Sequence, residues 1–322
     1  MAATAQKPAK AAKATGIYGA PPRPGLKAPA FPGTGLVTGA ASLAQRTVRR
    51  SIRRVTQPVR PVTLDERDPD ELRETLAVMW LISSLWFRSE VRGMGNIPDE
   101  GPALLVGNHS GGNMTPDTFA LALAFSTYFG VERQLHLLAA NPVFALPGVS
   151  HLRKAGVVSA TEANARQALA EGGVACVYPG GGTEAHRPSW RSSQVDVGDL
   201  IAQVELAAQQ NAPLVPVIAI GGQETALFLA SGESISERLG LHKLGISRIP
   251  ISIAAPWGLN VGDIFGHIPL PSKLVVEVLP PIDARARLKS GTSVEELAGH
   301  VATRMQDTLD ALAQERRLPV IG

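Results

Sequence analysis

Cysteine is almost missing from this sequence: Cys176 is its one example in 322 residues. No internal disulfide is then possible, and the count fits a reducing compartment. Cys176 lies inside the apolar run Val174 to Tyr178, so it reads as a core thiol rather than a nucleophile. No HExxH, CxxC or paired-Asp spacing occurs, and no resident metal is expected. The Gly-x-Ser-x-Gly elbow of serine hydrolases is missing too. No apolar run reaches the about 20 residues that a bilayer crossing needs. No signal-peptide pattern opens the chain. Acid is missing from one end: residues 1–64 hold 11 Lys or Arg and no Asp or Glu.

What remains is a globular composition. Hydrophobic residues make up 44% and charged ones 18%, enough to build a sizeable core. The net charge of +3 hides an asymmetry, because all 28 acids follow residue 64. The chain reads as a basic arm, residues 1–64, ahead of a mildly acidic domain, residues 65–322. Residues 1 to about 40 are rich in Ala, Pro, Gly and Lys and are expected to be disordered. Residues 41–56 place Ala44, Val48, Ile52 and Val55 at helical spacing, with Arg49, Arg50, Arg53 and Arg54 between them. A short basic amphipathic helix of that kind suits an anionic membrane surface. A nucleic-acid arm, a solubilising tail and a cleaved transit peptide are the alternatives.

Past the arm, Asp68-Pro69-Asp70-Glu71 starts a helix, which continues through the apolar positions Leu76 to Phe87. Trp80 and Trp86 suit an interfacial helix, and simple packing on the domain suits it equally. Strands are expected over 91–94, 103–106, 134–139, 174–178, 213–220, 249–254 and 274–279, with a further edge or strand over 152–158. Helices are expected over 116–129, 161–171 and 196–210, with a helical excursion over 230–248. Thr292 to Glu295 reads as a capping box opening a last amphipathic helix. Together these imply an α/β domain with a mixed, mainly parallel sheet and helices on both faces.

Two strand exits carry the chemistry. The run Leu104-Leu105-Val106 breaks at Gly107 and presents Asn108 and His109. Gly111 and Gly112 follow, then Thr115-Pro116-Asp117 opens a helix, with Thr115 as the expected cap and Pro116 at the first position. Ligands in open α/β sheets bind beyond the carboxyl ends of strands, so His109 stands where a general base is useful. Asp117 would fix its tautomer and stabilise the imidazolium that forms. The plain alternatives are a polar residue at a strand end and an acid favoured by the helix dipole. The second exit is Pro179-Gly180-Gly181-Gly182-Thr183-Glu184-Ala185-His186-Arg187. Its successive glycines suit an anion or a developing oxyanion, or simply a tight turn. His136, His151, His186, His267 and His300 read as structural or surface residues, with only His186 near this pair of exits.

These blocks resemble the glycerolipid acyltransferases. Leu104 to His109 followed by an Asp is similar to that family's catalytic block, and Val91 to Pro98 to its lead-in. Pro179-Gly180-Gly181-Gly182-Thr183-Glu184-Ala185 resembles the Pro-Gly-Gly-x-x-Glu loop of the diacylglycerol acyltransferase-like branch. Pro213 to Val217 and Gly222 to Phe228 resemble later blocks of the same branch, and the likeness runs over roughly residues 85 to 285. Seven residues separate His109 from Asp117 where the phospholipid branch has four, and Met114 occupies the position of that branch's Asp. The Glu-Gly-Thr-Arg of that branch is absent as such.

The resemblance implies a glycerol-phosphate-acyltransferase-like fold and acyl transfer from acyl-CoA or acyl carrier protein to a glycerolipid hydroxyl. His109 would be the general base and Asp117 its orienting partner. Asn108, Gly180, Gly181, Gly182 and Glu184 would line the substrate site, and Arg153 or Arg187 would hold an acceptor phosphate. It implies no cofactor and no nucleic acid, and a cytoplasmic protein peripherally bound to an anionic membrane. A thioesterase or lipid hydrolase using the same histidine, and a non-catalytic membrane-tethered lipid binder, are the rival readings.

Overall fold

A computed structural model describes residues 60–316 and 318, apart from 146–149, 197, 241–247 and 264–265. The chain divides into Met1–Val48 and Arg49–Gly322, and every described residue lies in the second unit. The expected disordered stretch and the basic helix over 41–56 fall outside the described residues. The packed domain starts earlier than residue 65. Val62 and Leu64 are buried, and the Val62 N–H donates to Ser159 Oγ at 2.8 Å.

In chain order the larger elements are α1 (Pro69–Leu81), β1 (Glu90–Arg92), β2 (Ala103–Gly107) and α2 (Pro116–Phe129). Then come β3 (Leu135–Ala139), α3 (Ser150–Lys154), β4 (Val157–Ser159), α4 (Glu162–Ala170) and β5 (Val174–Val177). After these follow α5 (Gly181–Ala185), α6 (Leu200–Gln210), β6 (Leu214–Ile220), β7 (Leu227–Ala230) and α7 (Glu233–Arg238). The last are β8 (Ile251–Ala254), β9 (Gly258–Val261), β10 (Val275–Val278), α8 (Ala284–Lys289) and α9 (Val294–Glu315).

A seven-stranded sheet runs in the order β1-β10-β6-β2-β5-β3-β4. Strands β6, β2, β5, β3 and β4 are parallel, and only the β10–β6 pair is antiparallel. This is the mixed, mainly parallel sheet flanked by helices that the pattern predicts. Alternation along β2 explains the two layers. Leu104 and Val106 face α4, α6 and α9, whereas Ala103 and Leu105 face α2 and the Phe87–Met94 segment. Cys176 sits in the second layer, where burial pushes its thiol up to about 12.

Helix starts follow the expected chemistry in part. Asp68 caps α1, accepting from the Asp70 and Glu71 amides at 3.1 and 3.2 Å. The capping box of α9 is one residue later than expected: Ser293 and Glu296 form it, not Thr292 and Glu295. The segment 91–94 is shorter as a strand, because Gly93 turns left-handed at φ 74°. A Cβ there would lie 2.2 Å from the Val278 carbonyl oxygen. The expected strand over 152–158 is instead α3 followed by β4. Of the expected helical excursion over 230–248, the structure shows the short α7 directly after β7, and residues 241–247 fall outside the described residues. With β8 and β9, β7 forms a separate three-stranded antiparallel sheet.

His136 on β3 is buried, and among the described residues neither ring nitrogen has a hydrogen-bond partner. Burial, with a contribution from Arg67, pulls it down to about 4. The unfolded chain takes a proton near 6.5, which the folded ring refuses. Stability is therefore present above about 6.5 and is lost as pH falls toward about 4. Urea titrations from pH 7 to 5 are expected to show this loss, at up to about 1.4 kcal/mol per pH unit. His136→Leu is expected to flatten that component.

Candidate active site

The carboxyl ends of β2, β5 and β6 lie side by side, so their three exit turns meet at one edge of the sheet. The first exit presents His109. Its Nδ1 lies 3.1 Å from Asp117 Oδ2. The same oxygen accepts from the Ser110 N–H at 2.8 Å and faces the Ser110 hydroxyl at 3.3 Å. Asp117 Oδ1 accepts from the Thr118 N–H at 2.7 Å. Asp117 is 1% exposed, so these donors replace the water its carboxylate gave up.

The seven-residue separation closes because the turn coils back on itself. Gly111, Gly112 and Thr115 take left-handed φ of 82°, 61° and 41°. A Cβ on Gly111 would sit 2.4 Å from Pro116 Cδ, so that position tolerates no side chain. Thr115 precedes α2 but its side chain caps nothing; the Asp117 carboxylate satisfies a first-turn amide instead. With a proton on Nδ1 pointing at Asp117, Nε2 keeps its lone pair. The imidazole stacks on the Tyr178 ring at 4.3 Å and 19°. Gly107 makes room for that ring, since a Cβ there would lie 2.6 Å from Tyr178 Cε1.

Most of the other expected substrate ligands hold the turns together. Asn108 is fully buried, and its amide group bridges to β6: Nδ2 donates to the Ala219 carbonyl at 2.9 Å and Oδ1 accepts from its N–H at 2.7 Å. Fully buried in that pairing, the amide serves the strand end. Glu184 is equally buried. Its Oε2 accepts from the His109 N–H at 2.8 Å and its Oε1 from the Asp196 N–H at 3.0 Å. Burial pushes its carboxyl up to about 7, against the pull of Arg187 and of those two amides. Arg187 donates from Nη1 to the carbonyls of His109 at 2.9 Å and Glu184 at 3.1 Å, and from Nη2 to that of Ser192 at 3.3 Å. It is a buried clamp, not an open phosphate ligand.

Arg153 is not brought to the site. It ends α3, at the amino end of β4 and thus the opposite edge of the sheet from His109. There it pairs with Glu66 at 3.4 Å. Gly180, Gly181 and Gly182 form the turn into α5, and the Gly181 amide is taken by the Tyr178 carbonyl at 2.9 Å. Gly180 is packed so closely that a Cβ would meet the Asp196 carbonyl oxygen at 1.9 Å.

Two participants were given no role from the sequence. Gln223, from the third exit, accepts the Gly111 N–H at 3.1 Å and donates to the Arg187 carbonyl. Asp263 accepts from His186 Nε2 at 3.1 Å, from the Asn113 N–H at 2.9 Å and from Asn260 at 2.9 Å, with His267 Nδ1 at 3.3 Å. Burial raises its carboxyl, but the hydrogen bonds from His186, His267 and Asn113 outweigh that and hold it below the ordinary carboxylate range. His186 and His267 are thus buried members of one cluster behind the two turns. The Gly-Gly-Gln-Glu run after β6 and the lone acid between β9 and β10 were the available signals.

A groove of about 350 Å³ lies along α2, within the ~300–1,000 Å³ usual for ligand pockets. Trp80, Val91, Met94, Ala120, Leu123 and Ala124 line much of it. Ala120 lies one helical turn beyond Asp117, so the groove and the His109–Asp117 pair are built on the same helix.

Residues 88–220 match the family model described as Acyltransferase. Over that segment the chain is similar to the acyltransferase family. That acyltransferase segment spans β1 to β6 and contains His109, Asp117, Glu184 and Arg187; Asp263 lies outside it. Uncharacterized proteins of Mycobacterium tuberculosis and Mycobacterium leprae are each 32% identical over 241 residues, or 72% of this chain. The chain spans 63% and 62% of their lengths. A crystal structure of the 1-acyl-sn-glycerophosphate acyltransferase PlsC from Thermotoga maritima is also similar. It aligns with a TM-score of 0.47 at 20% identity, over 77% of this chain and 83% of that one.

Asn108→Ala removes two buried hydrogen bonds and leaves both Ala219 groups unpaired at the end of β6. The variant is expected to lose about 1–3 kcal/mol of stability, read by urea unfolding.

Proposed function

We propose that this chain is an O-acyltransferase using His109 as general base. It moves a fatty acyl group from a thioester donor, acyl-CoA or acyl carrier protein, to a hydroxyl of a glycerolipid. The observation that carries this reading is the His109–Asp117 pair, its Nε2 free of Asp117, at the carboxyl edge of an acyltransferase-family sheet. Nε2 takes the proton as the acceptor oxygen forms its bond to the thioester carbonyl carbon. The C–S bond then breaks, and the departing thiolate receives the proton from the imidazolium. Asp117 stabilises the imidazolium between these steps. The groove along α2 receives the apolar chain.

Contact with a membrane surface belongs to this proposal. Among the described residues no helix is long and apolar enough to cross a membrane. Trp80, Leu81, Ile82, Leu85 and Trp86 are nonetheless exposed on one segment. Across the small sheet, Leu227, Ile253 and Leu259 are paired neighbours, and all three are exposed. Apolar surface of this extent suits a lipid surface that supplies an apolar substrate.

Thiol release from a long-chain acyl-CoA tests the reading, with glycerol 3-phosphate, lysophosphatidate, monoacylglycerol and diacylglycerol as acceptors. Acceptor-dependent release is expected. It should fall by roughly 10²–10⁴-fold in His109→Ala and in Asp117→Asn. Release without acceptor would make the protein a thioesterase, and silence with every acceptor would remove the catalytic reading. Ala124→Trp fills the groove and is expected to shift preference toward shorter acyl chains at least severalfold, measured as relative kcat/KM across an acyl-CoA series.

A further inference from the structure

Arg248 reaches the glycine turn from outside the segment 88–220, just ahead of β8. Its guanidinium lies against the backbone of Gly182: a Cβ there would come 2.5 Å from Nη2, 2.6 Å from Cζ and 2.8 Å from Nε. Nη1 donates to Thr183 Oγ1 at 3.0 Å. Among the described residues this is its one hydrogen bond, and no carboxylate stands within 4.0 Å of it. Glu233, whose charge acts on Arg248, accepts the Thr183 hydroxyl at 2.5 Å instead. Burial lowers the basicity of the guanidinium, and Glu233 offsets this in part.

A guanidinium stays charged in proteins and carries five N–H donors. One that is partly buried with a single neutral hydrogen bond has desolvation without a paired anion. The two arginines that the family resemblance offers for a phosphate are both committed. Arg153 is on the far edge, and Arg187 is bound to three carbonyls. Arg248 instead stands on the same glycine turn that braces His109. Gly182 neighbours Thr183, and Thr183 precedes Glu184, which holds the His109 amide.

We propose that Arg248, seated on Gly182 and fixed through Thr183, binds the phosphate of a phosphate-bearing acyl acceptor beside His109. The planar fork suits two oxygens of a phosphate monoester, which a point charge grips less selectively. Gly182 is then a requirement of the ligand site rather than of the turn. The inference rests on the acyltransferase reading for the acceptor's identity, but not for the anion site itself.

The test uses the full chain and compares wild type with Arg248→Gln, Arg248→Lys and Gly182→Ala. Calorimetry reports binding of glycerol 3-phosphate and of inorganic phosphate. Kinetics report KM for lysophosphatidate, monoacylglycerol and acyl-CoA. Arg248→Gln is expected to weaken glycerol 3-phosphate binding and raise KM for lysophosphatidate by tenfold or more. KM for monoacylglycerol and acyl-CoA should change less than twofold. Arg248→Lys should recover only part of the loss, and Gly182→Ala should weaken phosphate binding by displacing the guanidinium. Equal effects on phosphorylated and neutral acceptors would overturn the proposal. A rise confined to acyl-CoA would overturn it as well and give Arg248 to the donor's phosphates. If no acceptor is acylated, the calorimetry still decides. Phosphate binding lost in Arg248→Gln upholds the anion site while the acyltransferase reading falls, and unchanged binding removes the site. Should Arg248→Gln fail to fold, Arg248→Lys and Gly182→Ala carry the comparison.

Discussion

Asp117 is a carboxylate taken almost wholly out of water, and a group of that kind persists only where donors surround it. The Ser110 amide and hydroxyl, the Thr118 amide and the His109 ring supply them. Meeting this demand forces the turn after β2 to coil through three left-handed residues before α2 begins. It also sets the imidazole's orientation, because the ring must point Nδ1 inward to serve as one of the donors. The free Nε2 is a consequence of satisfying a buried charge.

The same logic extends to the neighbouring exits. A backbone turn standing free at a sheet edge would leave amides and carbonyls to water. Here each exit supplies side chains to the others. Glu184 takes the His109 amide, Arg187 takes the His109 carbonyl, and Gln223 bridges Gly111 to Arg187. Asn108 ties the end of β2 to β6. Asp263 ties the cluster to the small sheet through Asn260 and to both turns through Asn113 and His186. The His109–Asp117 pair is therefore backed by a shell of buried polar groups whose partners are fixed, the kind of support that holds a site's geometry within tolerance.

This arrangement explains why several residues expected at the substrate are found bracing the turns. Asn108, Glu184 and Arg187 sit beside His109 in motif space, and polar residues at strand exits suggest ligands. Whether such a side chain faces the ligand or the neighbouring turn depends on what lies across from it. For Asn108 that is Ala219, 111 residues away. Arg153 failed for a different reason: connection order carried it to the amino edge of β4. The one-residue slip of the capping box arose because Thr292-x-x-Glu295 and Ser293-x-x-Glu296 are both valid boxes, and the packing phase of α9 selects the second. Asp263 and Arg248 reach the turns over long separations, to Asn113, His186 and Thr183 at 150, 77 and 65 residues, and His267 joins only through Asp263.

Local rules written in the sequence determined the parallel core, the buried thiol, the helix starts at Asp68 and Pro116, and the exposure of His109 at a strand exit. Each follows from period-two alternation, glycine breaks and capping, interactions that span a few residues. Tertiary structure alone decided that a seven-residue separation still brings Asp117 to His109, and that Glu184 and Arg187 brace the turn. It also decided that a guanidinium from beyond the family segment rests on Gly182. Those outcomes depend on which turns the sheet order sets side by side. A single sequence does not carry that order, because strand adjacency is a property of the closed core and not of any one segment.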